Sequence, residues 1–258
     1  MATKNAETEA QEPKKKGIDR NSNAYILTYT SAIVIIVALL LSITSGALKG
    51  RQNENVKLDT KKQILSSLPA IDLENGDANT LYANTIVAYD LLDAEGNVVR
   101  ELDPVTDFDV KAEEGQLRLY VANIDGAKKY IIPMNGAGLW GAIWGYIALD
   151  DDKNTVYGVY FSHAGETPGL GANIATPKFQ NQFQGKHIKN ADGQFVSIGV
   201  MKKGQTAEGQ EQVDALSGGT ITSKGVETML KTCIGAYTAF LNKTEAAEAN
   251  NVEGGEQQ

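Results

Sequence analysis

Between residues 21 and 48 the chain carries no charged side chain, and its centre, 32–43, reads AIVIIVALLLSI. Roughly 20 apolar residues, rising about 1.5 Å each, cover the ~30 Å hydrocarbon core of a bilayer. The pattern predicts a transmembrane helix over 21–48. Tyr25 and Tyr29 stand near one end, where interfacial aromatics collect. A cleaved signal peptide has a shorter apolar run of about 7–15 residues and a small-residue cleavage site; this run is longer and follows a long polar leader. Beyond it, Val56, Ile64, Leu65 and Leu68 recur at helical spacing and stop at Pro69. They predict a short amphipathic helix over 54–70, inside a helical stem or linker at 49–75.

From there the period shortens. Apolar, β-branched and aromatic residues over 85–92 and 98–102 flank Gly96-Asn97, a hairpin signal. Residues 117–121, 129–132, 142–149, 155–161 and 195–201 are further strand candidates. The pattern returns to helical spacing over 223–242, where Val226, Met229, Leu230, Cys233, Ile234, Tyr237, Phe240 and Leu241 form one stripe. The fold class predicted is α+β: a single N-terminal transmembrane helix, then a mixed α+β domain over 76–243. Residues 1–20 and the acidic 244–258 are polar enough to be disordered tails.

Composition removes several function classes. With 258 residues and 42% apolar side chains, the chain can bury a core; its net charge of −8 offers no basic face for nucleic acid. One cysteine, Cys233, and two histidines, His163 and His187, provide neither a disulfide nor metal-ligand spacing. Any redox chemistry then falls to an organic cofactor. The anchor's orientation is not set by charge, because Lys14, Lys15, Lys16 and Arg20 before it are matched by Lys49, Arg51, Lys57, Lys61 and Lys62 after it.

The last helix is preceded by DALSGGTITS at 214–223. Gly218 and Gly219 permit a sharp turn and a close approach to a ligand. The hydroxyls of Thr220, Thr222 and Ser223 follow, at a helix N-terminus that suits phosphate. On these residues alone two readings stand: a phosphate beside Thr220, or Thr222 or Ser223 as a plain helix cap after a glycine turn. No Walker lysine and no dinucleotide-binding glycine pattern is present. ETPGLG at 166–171 and GLWG at 138–141 are other glycine-rich segments. The first reads as a loop. In the second, Trp140 is either a core residue or a platform for a flat ring. His163 reads as a strand-end residue and Cys233 as core. Lys202 and Lys203 precede the loop, as a surface pair or as a cation beside it.

Taken in order, these blocks resemble the FMN-binding domain family. Asp214, Ser217, Gly218 and Thr220 match its D-x-x-[S/T]-G-A-T pattern, with Gly219 where alanine is usual; ETPGLG matches a second block. The GLWG form is similar to the NqrC branch, the C subunits of Na⁺-translocating NADH:quinone reductases. The sister branch, the G subunits of Rnf-type ferredoxin:NAD⁺ complexes, usually has tyrosine there. The resemblance implies covalent FMN joined through its phosphate to Thr220 by a separate Mg²⁺-dependent flavin transferase that uses FAD as donor. It further implies flavin contacts from Trp140, Glu166, Thr167, Leu170, Gly171, Lys202, Ser217, Gly218, Gly219 and Thr222, with no catalytic side chain and no metal ligand. The implied protein is an electron-relay subunit of a membrane-bound complex passing electrons from NADH to ubiquinone with Na⁺ transport. Other subunits and membrane lipid are its partners, the N-terminus is cytoplasmic and the flavin domain periplasmic. The rivals are the Rnf-type subunit and, from another class, a membrane-anchored ligand-binding module without flavin.

Overall fold

The structure is a computed structural model and describes residues 20 and 22–243; the two tails expected at 1–20 and 244–258 lie outside it, apart from Arg20. Two compact units divide at Asn55/Val56. The first holds the apolar part of helix α1, Asn23–Ser66. It is long and apolar enough to cross a membrane, and none of its apolar window is buried by protein. Ile33, Val34, Ile35, Leu40 and Ile43 are all exposed. The hydroxyls of Thr28, Thr30 and Thr44 donate to the carbonyls four residues back, which leaves them paired within the helix itself. The stem expected as a separate short helix is the continuation of α1. It ends before Pro69, whose ring disfavours helical backbone at the preceding residue.

The second unit is built on a six-stranded antiparallel sheet in the order β2-β1-β3-β4-β5-β6. After α2 (Ala78–Thr85) come β1 (Ile86–Leu92), β2 (Val98–Leu102), β3 (Leu117–Ile124), β4 (Ala127–Ala137), β5 (Ala142–Leu149) and β6 (Val156–His163). A 3-10 helix (Gly171–Ala175), α3 (Pro177–Gln180) and a parallel pair, β7 (Gly199–Met201) and β8 (Gln212–Asp214), lead to α4 (Thr220–Gly235) and α5 (Thr238–Leu241). Because side chains alternate along a strand, the sheet buries both faces. Tyr130, Ile132, Met134, Ile143 and Ile147 meet Val226, Met229, Leu230 and Ile234 of α4. Tyr89, Tyr120, Ile131 and Ala148 meet Ile64, Leu65, Leu68 and Tyr82.

Four expectations shift. Residue 85 closes α2 rather than opening β1, because Asp77 caps that helix by accepting from the Thr80 N–H at 2.9 Å. The expected strand 195–201 survives only at 199–201, since Ser197 adopts φ 67. β4 is longer than the expected 129–132 and follows a turn with positive φ at Asp125 and Gly126. The helix expected over 223–242 begins earlier, at Thr220, and breaks after Gly235, where buried Tyr237 donates its hydroxyl to the Arg118 carbonyl at 2.6 Å.

Candidate functional site

Three chain reversals at one end of the sheet meet at the start of α4. The first joins β4 to β5, closed by the Gly138 N–H on the Gly141 carbonyl at 2.8 Å. The second leaves β6 at His163 and runs through ETPGLG. There the Thr167 carbonyl accepts from the N–H groups of Leu170 and Ala172 at 3.1 and 3.2 Å. The third is the loop after β8, where Gly218 has φ +75 and Gly219 precedes Thr220, the first residue of α4.

Glu166 ties them together. Only 4% exposed, it accepts from the Trp140 N–H on Oε1 at 2.8 Å and from the Thr222 hydroxyl on Oε2 at 2.5 Å. Its own N–H donates to His163 Nδ1 at 3.2 Å. Burial pushes its carboxyl up. The bonds from Thr222, Trp140 and Leu139, with His163 nearby, outweigh that and hold it below the ordinary glutamate value of 4.5. A folded carboxyl that binds its proton less tightly than the unfolded one adds stability above the unfolded value. That stability is lost as pH falls through the lower folded value. Glu166→Gln is therefore expected to flatten the acid limb of the stability curve below 4.5, read from urea midpoints at a series of pH values. Equal slopes in both proteins would refute the assignment.

The three segments pack too closely for side chains at the glycines between them. A Cβ on Gly171 would meet Glu166 Oε2 and, at 2.5 Å, Thr222 Oγ1. One on Gly218 would lie 2.6 Å from Leu170 Cδ2. At Gly219, where the family pattern has alanine, a Cβ would stand 3.1 Å from Leu216 Cβ and 3.3 Å from the Gly171 backbone. Its φ of −117° is one any residue adopts, so the glycine relieves a tight approach rather than a strained dihedral.

Trp140, Glu166, Thr167, Leu170, Gly171, Ser217, Gly218, Gly219, Thr220 and Thr222 thus fall in one locality. Thr222 and Ser223 do not cap α4. Thr222 is turned to Glu166, and Ser223 Oγ accepts from the Leu216 N–H at 3.0 Å. No side chain caps the first turn, and Gly219 is the N-cap. Lys202 is exposed, one residue past the Met201–Asp214 pairing, and its ammonium forms no ion pair among the described residues. His163 closes β6, and Cys233 is half-buried with its thiol on the Asn135 carbonyl at 3.3 Å. Two residues inside these segments are not singled out by the sequence: Leu139 and Ile221, exposed at 48% and 58%, border Trp140 (69%) and Thr220 in the chain. Among the described residues no cluster could hold a metal ion.

Comparison with known proteins follows the same outline. Residues 138–235, which contain every site residue named above, match the FMN-binding domain family. The C subunit of the Na(+)-translocating NADH-quinone reductase of Pasteurella multocida is 32% identical over 253 residues, spanning 86% of this chain and 96% of that relative. The crystal structure of the same subunit from Parabacteroides distasonis is 45% identical, with a TM-score of 0.70, over 77% of this chain and 98% of that one. Shewanella oneidensis NqrC is 25% identical with a TM-score of 0.60, over 72% and 96%. The chain belongs to the NqrC family, the C subunits of Na(+)-translocating NADH-quinone reductases.

Proposed function

We propose that this protein is a flavin-bearing electron-relay subunit of a membrane-bound Na⁺-translocating NADH:quinone reductase, and that FMN is joined to Thr220 by a phosphoester. One observation carries the attachment: Thr220 is an exposed hydroxyl on the first, uncapped turn of a 16-residue helix. The unpaired N–H groups and partial positive charge of that turn complement a phosphate. The residues present fit the rest of the group. Leu139, Trp140, Leu170 and Ile221 are exposed large apolar side chains. They stand on the loops that meet at the start of α4 and on its first turn, and exposed apolar side chains there suit a flat aromatic ring.

In this reading FMN supplies the acceptance and release of electrons, and the chain holds and shields it. The N–H groups of α4 balance the phosphate charge. Trp140 and Leu170 would shield the ring from water, and Gly171, Gly218 and Gly219 let the three loops approach one another closely. Thr167 and Ser217 would supply polar contacts to the group, and Lys202 would supply positive charge toward it. A flavin transferase acting with FAD and Mg²⁺ makes the bond, and the other subunits deliver and remove electrons. The apolar stretch of α1 sits in membrane lipid, with the N-terminus cytoplasmic and the flavin domain periplasmic. Covalent attachment suits that side, where a free cofactor would diffuse away.

Two measurements test this. The full chain, co-expressed with a flavin transferase and denatured, is expected to keep its yellow absorbance and gain the mass of one FMN less one water; a colourless chain without added mass refutes the attachment. Alkaline phosphatase fused after residue 242 is expected to be active, and a well-expressed inactive fusion refutes the periplasmic side.

A further inference from the structure

Four hydroxyls crowd the attachment segment, on Ser217, Thr220, Thr222 and Ser223, and they are not equally available. Thr222 and Ser223 are each 1% exposed and committed to bonds within the protein, the first to Glu166 Oε2 and the second to the Leu216 N–H. Ser217 and Thr220 are exposed. Residues two apart on an α-helix project about 200° from each other around its axis. Holding Thr222 inward therefore turns Thr220 outward. What holds Thr222 is one carboxylate 56 positions away in the chain. Its second oxygen is fastened to the Trp140 N–H, and its own N–H is fastened to His163. Gly171 keeps this contact open, since a Cβ there would strike both Glu166 Oε2 and Thr222 Oγ1.

We infer that Glu166 is a positioning residue for flavin attachment: its bracket with Thr222 fixes the rotation of the first turn of α4, so that among the hydroxyls of that turn only Thr220 faces the transferase, in the orientation that makes it the acceptor in preference to the neighbouring exposed Ser217. The inference builds on the reading that Thr220 receives FMN. In that step the Thr220 oxygen bonds to the FMN-side phosphorus of FAD. The pyrophosphate bond breaks, AMP leaves with the electron pair, and the hydroxyl proton passes to the transferase or to solvent. Glu166 takes no part in the bond-making. It sets the geometry on which a group transfer depends steeply.

The test uses the purified full chain in detergent with flavin transferase, FAD and Mg²⁺, following incorporation over time and mapping the flavinylated peptide. In wild type, one FMN per chain on Thr220 is expected. Thr222→Val keeps the buried shape but not the donor. Its initial rate at saturating chain is expected to fall about tenfold or more, with KM for the chain unchanged, the endpoint still one FMN per chain, and part of the label moved to Ser217. Glu166→Ala is expected to behave alike. Thr222→Ser, which keeps the hydroxyl, and Glu166→Gln, whose carbonyl and amide can satisfy Trp140 and Thr222, are expected to recover most of the rate. The bracket is refuted if Thr222→Val is labelled on Thr220 at the wild-type rate. It is equally refuted if the endpoint falls in proportion to the rate, the mark of a misfolded fraction. Should Glu166→Ala fail to accumulate, the Thr222 pair decides alone. Wild type without flavin on Thr220 would instead overturn the underlying reading, and that sample reports it independently of the variants.

Discussion

Thr220→Ala is expected to leave the protein folded and to remove all flavin that survives denaturation, whereas Thr220→Ser keeps it. The separation follows from the side chain's place. Thr220 is exposed, opens α4, and caps nothing, because the N-cap is Gly219 and no side chain caps the N–H groups of the first turn. Surface substitutions away from caps and buried networks change stability by less than about 0.5 kcal/mol. Thr222→Ala is the opposite case. Its hydroxyl is buried and donates to a buried carboxylate, and stranding such an acceptor costs about 1–3 kcal/mol. Two alanine substitutions two positions apart should therefore behave oppositely, one silent in a thermal melt and blank in the flavin spectrum, the other destabilised. Intact mass of the denatured chains and melting curves of the native ones read both. Flavin retained covalently in Thr220→Ala would end the assignment of this residue.

The same pair shows where sequence reasoning reached and where it stopped. The membrane-length apolar run, the hairpin at Gly96-Asn97 and the stripe of α4 are local periodicities, and each appears in the structure with shifted ends. Asp125-Gly126, an Asp-Gly pair in a two-residue hairpin, is a strong local signal that a strand expected only at 129–132 leaves unused. Helix α2 is announced only by Asp77 and Thr80, a cap with little periodicity behind it. Ser197 at φ 67 offers no warning, since its residue type does not demand that conformation. At the site, the segments GLWG, ETPGLG and SGGT are each visible, and their order carries the resemblance. That Glu166 joins all three is not visible. Its partners lie 26 and 56 positions away, and no pattern within a window of chain encodes a contact made by the whole sheet.

Phe161→Ala is expected to produce the largest loss of stability among single side-chain truncations near the site, about 3–5 kcal/mol. Such a loss takes a large share of the roughly 5–15 kcal/mol that keeps a domain folded. Phe161 is fully buried on β6, the edge strand, with ring centroids 5.3 Å from Phe183 and 6.1 Å from Phe179, which are themselves 5.5 Å apart. The segment it holds has little regular hydrogen bonding of its own: a five-residue 3-10 helix and the four-residue α3. The Gln180 amide reaches the Phe161 carbonyl at 3.1 Å, and just past Phe183 the backbone of Gly185 and Lys186 bonds Val156 of β6 at 2.8 Å; between those ties, apolar packing fastens the segment to the sheet. Two residues beyond Phe161 stands His163, the acceptor for the Glu166 N–H. Removing the ring should therefore act twice, lowering the urea midpoint and slowing flavin attachment in the fraction still folded. A loss below about 1 kcal/mol would mean the cavity collapses freely and the three rings are not what fixes the segment. A full loss with an unchanged attachment rate per folded chain would mean the site loops are held independently of the edge strand.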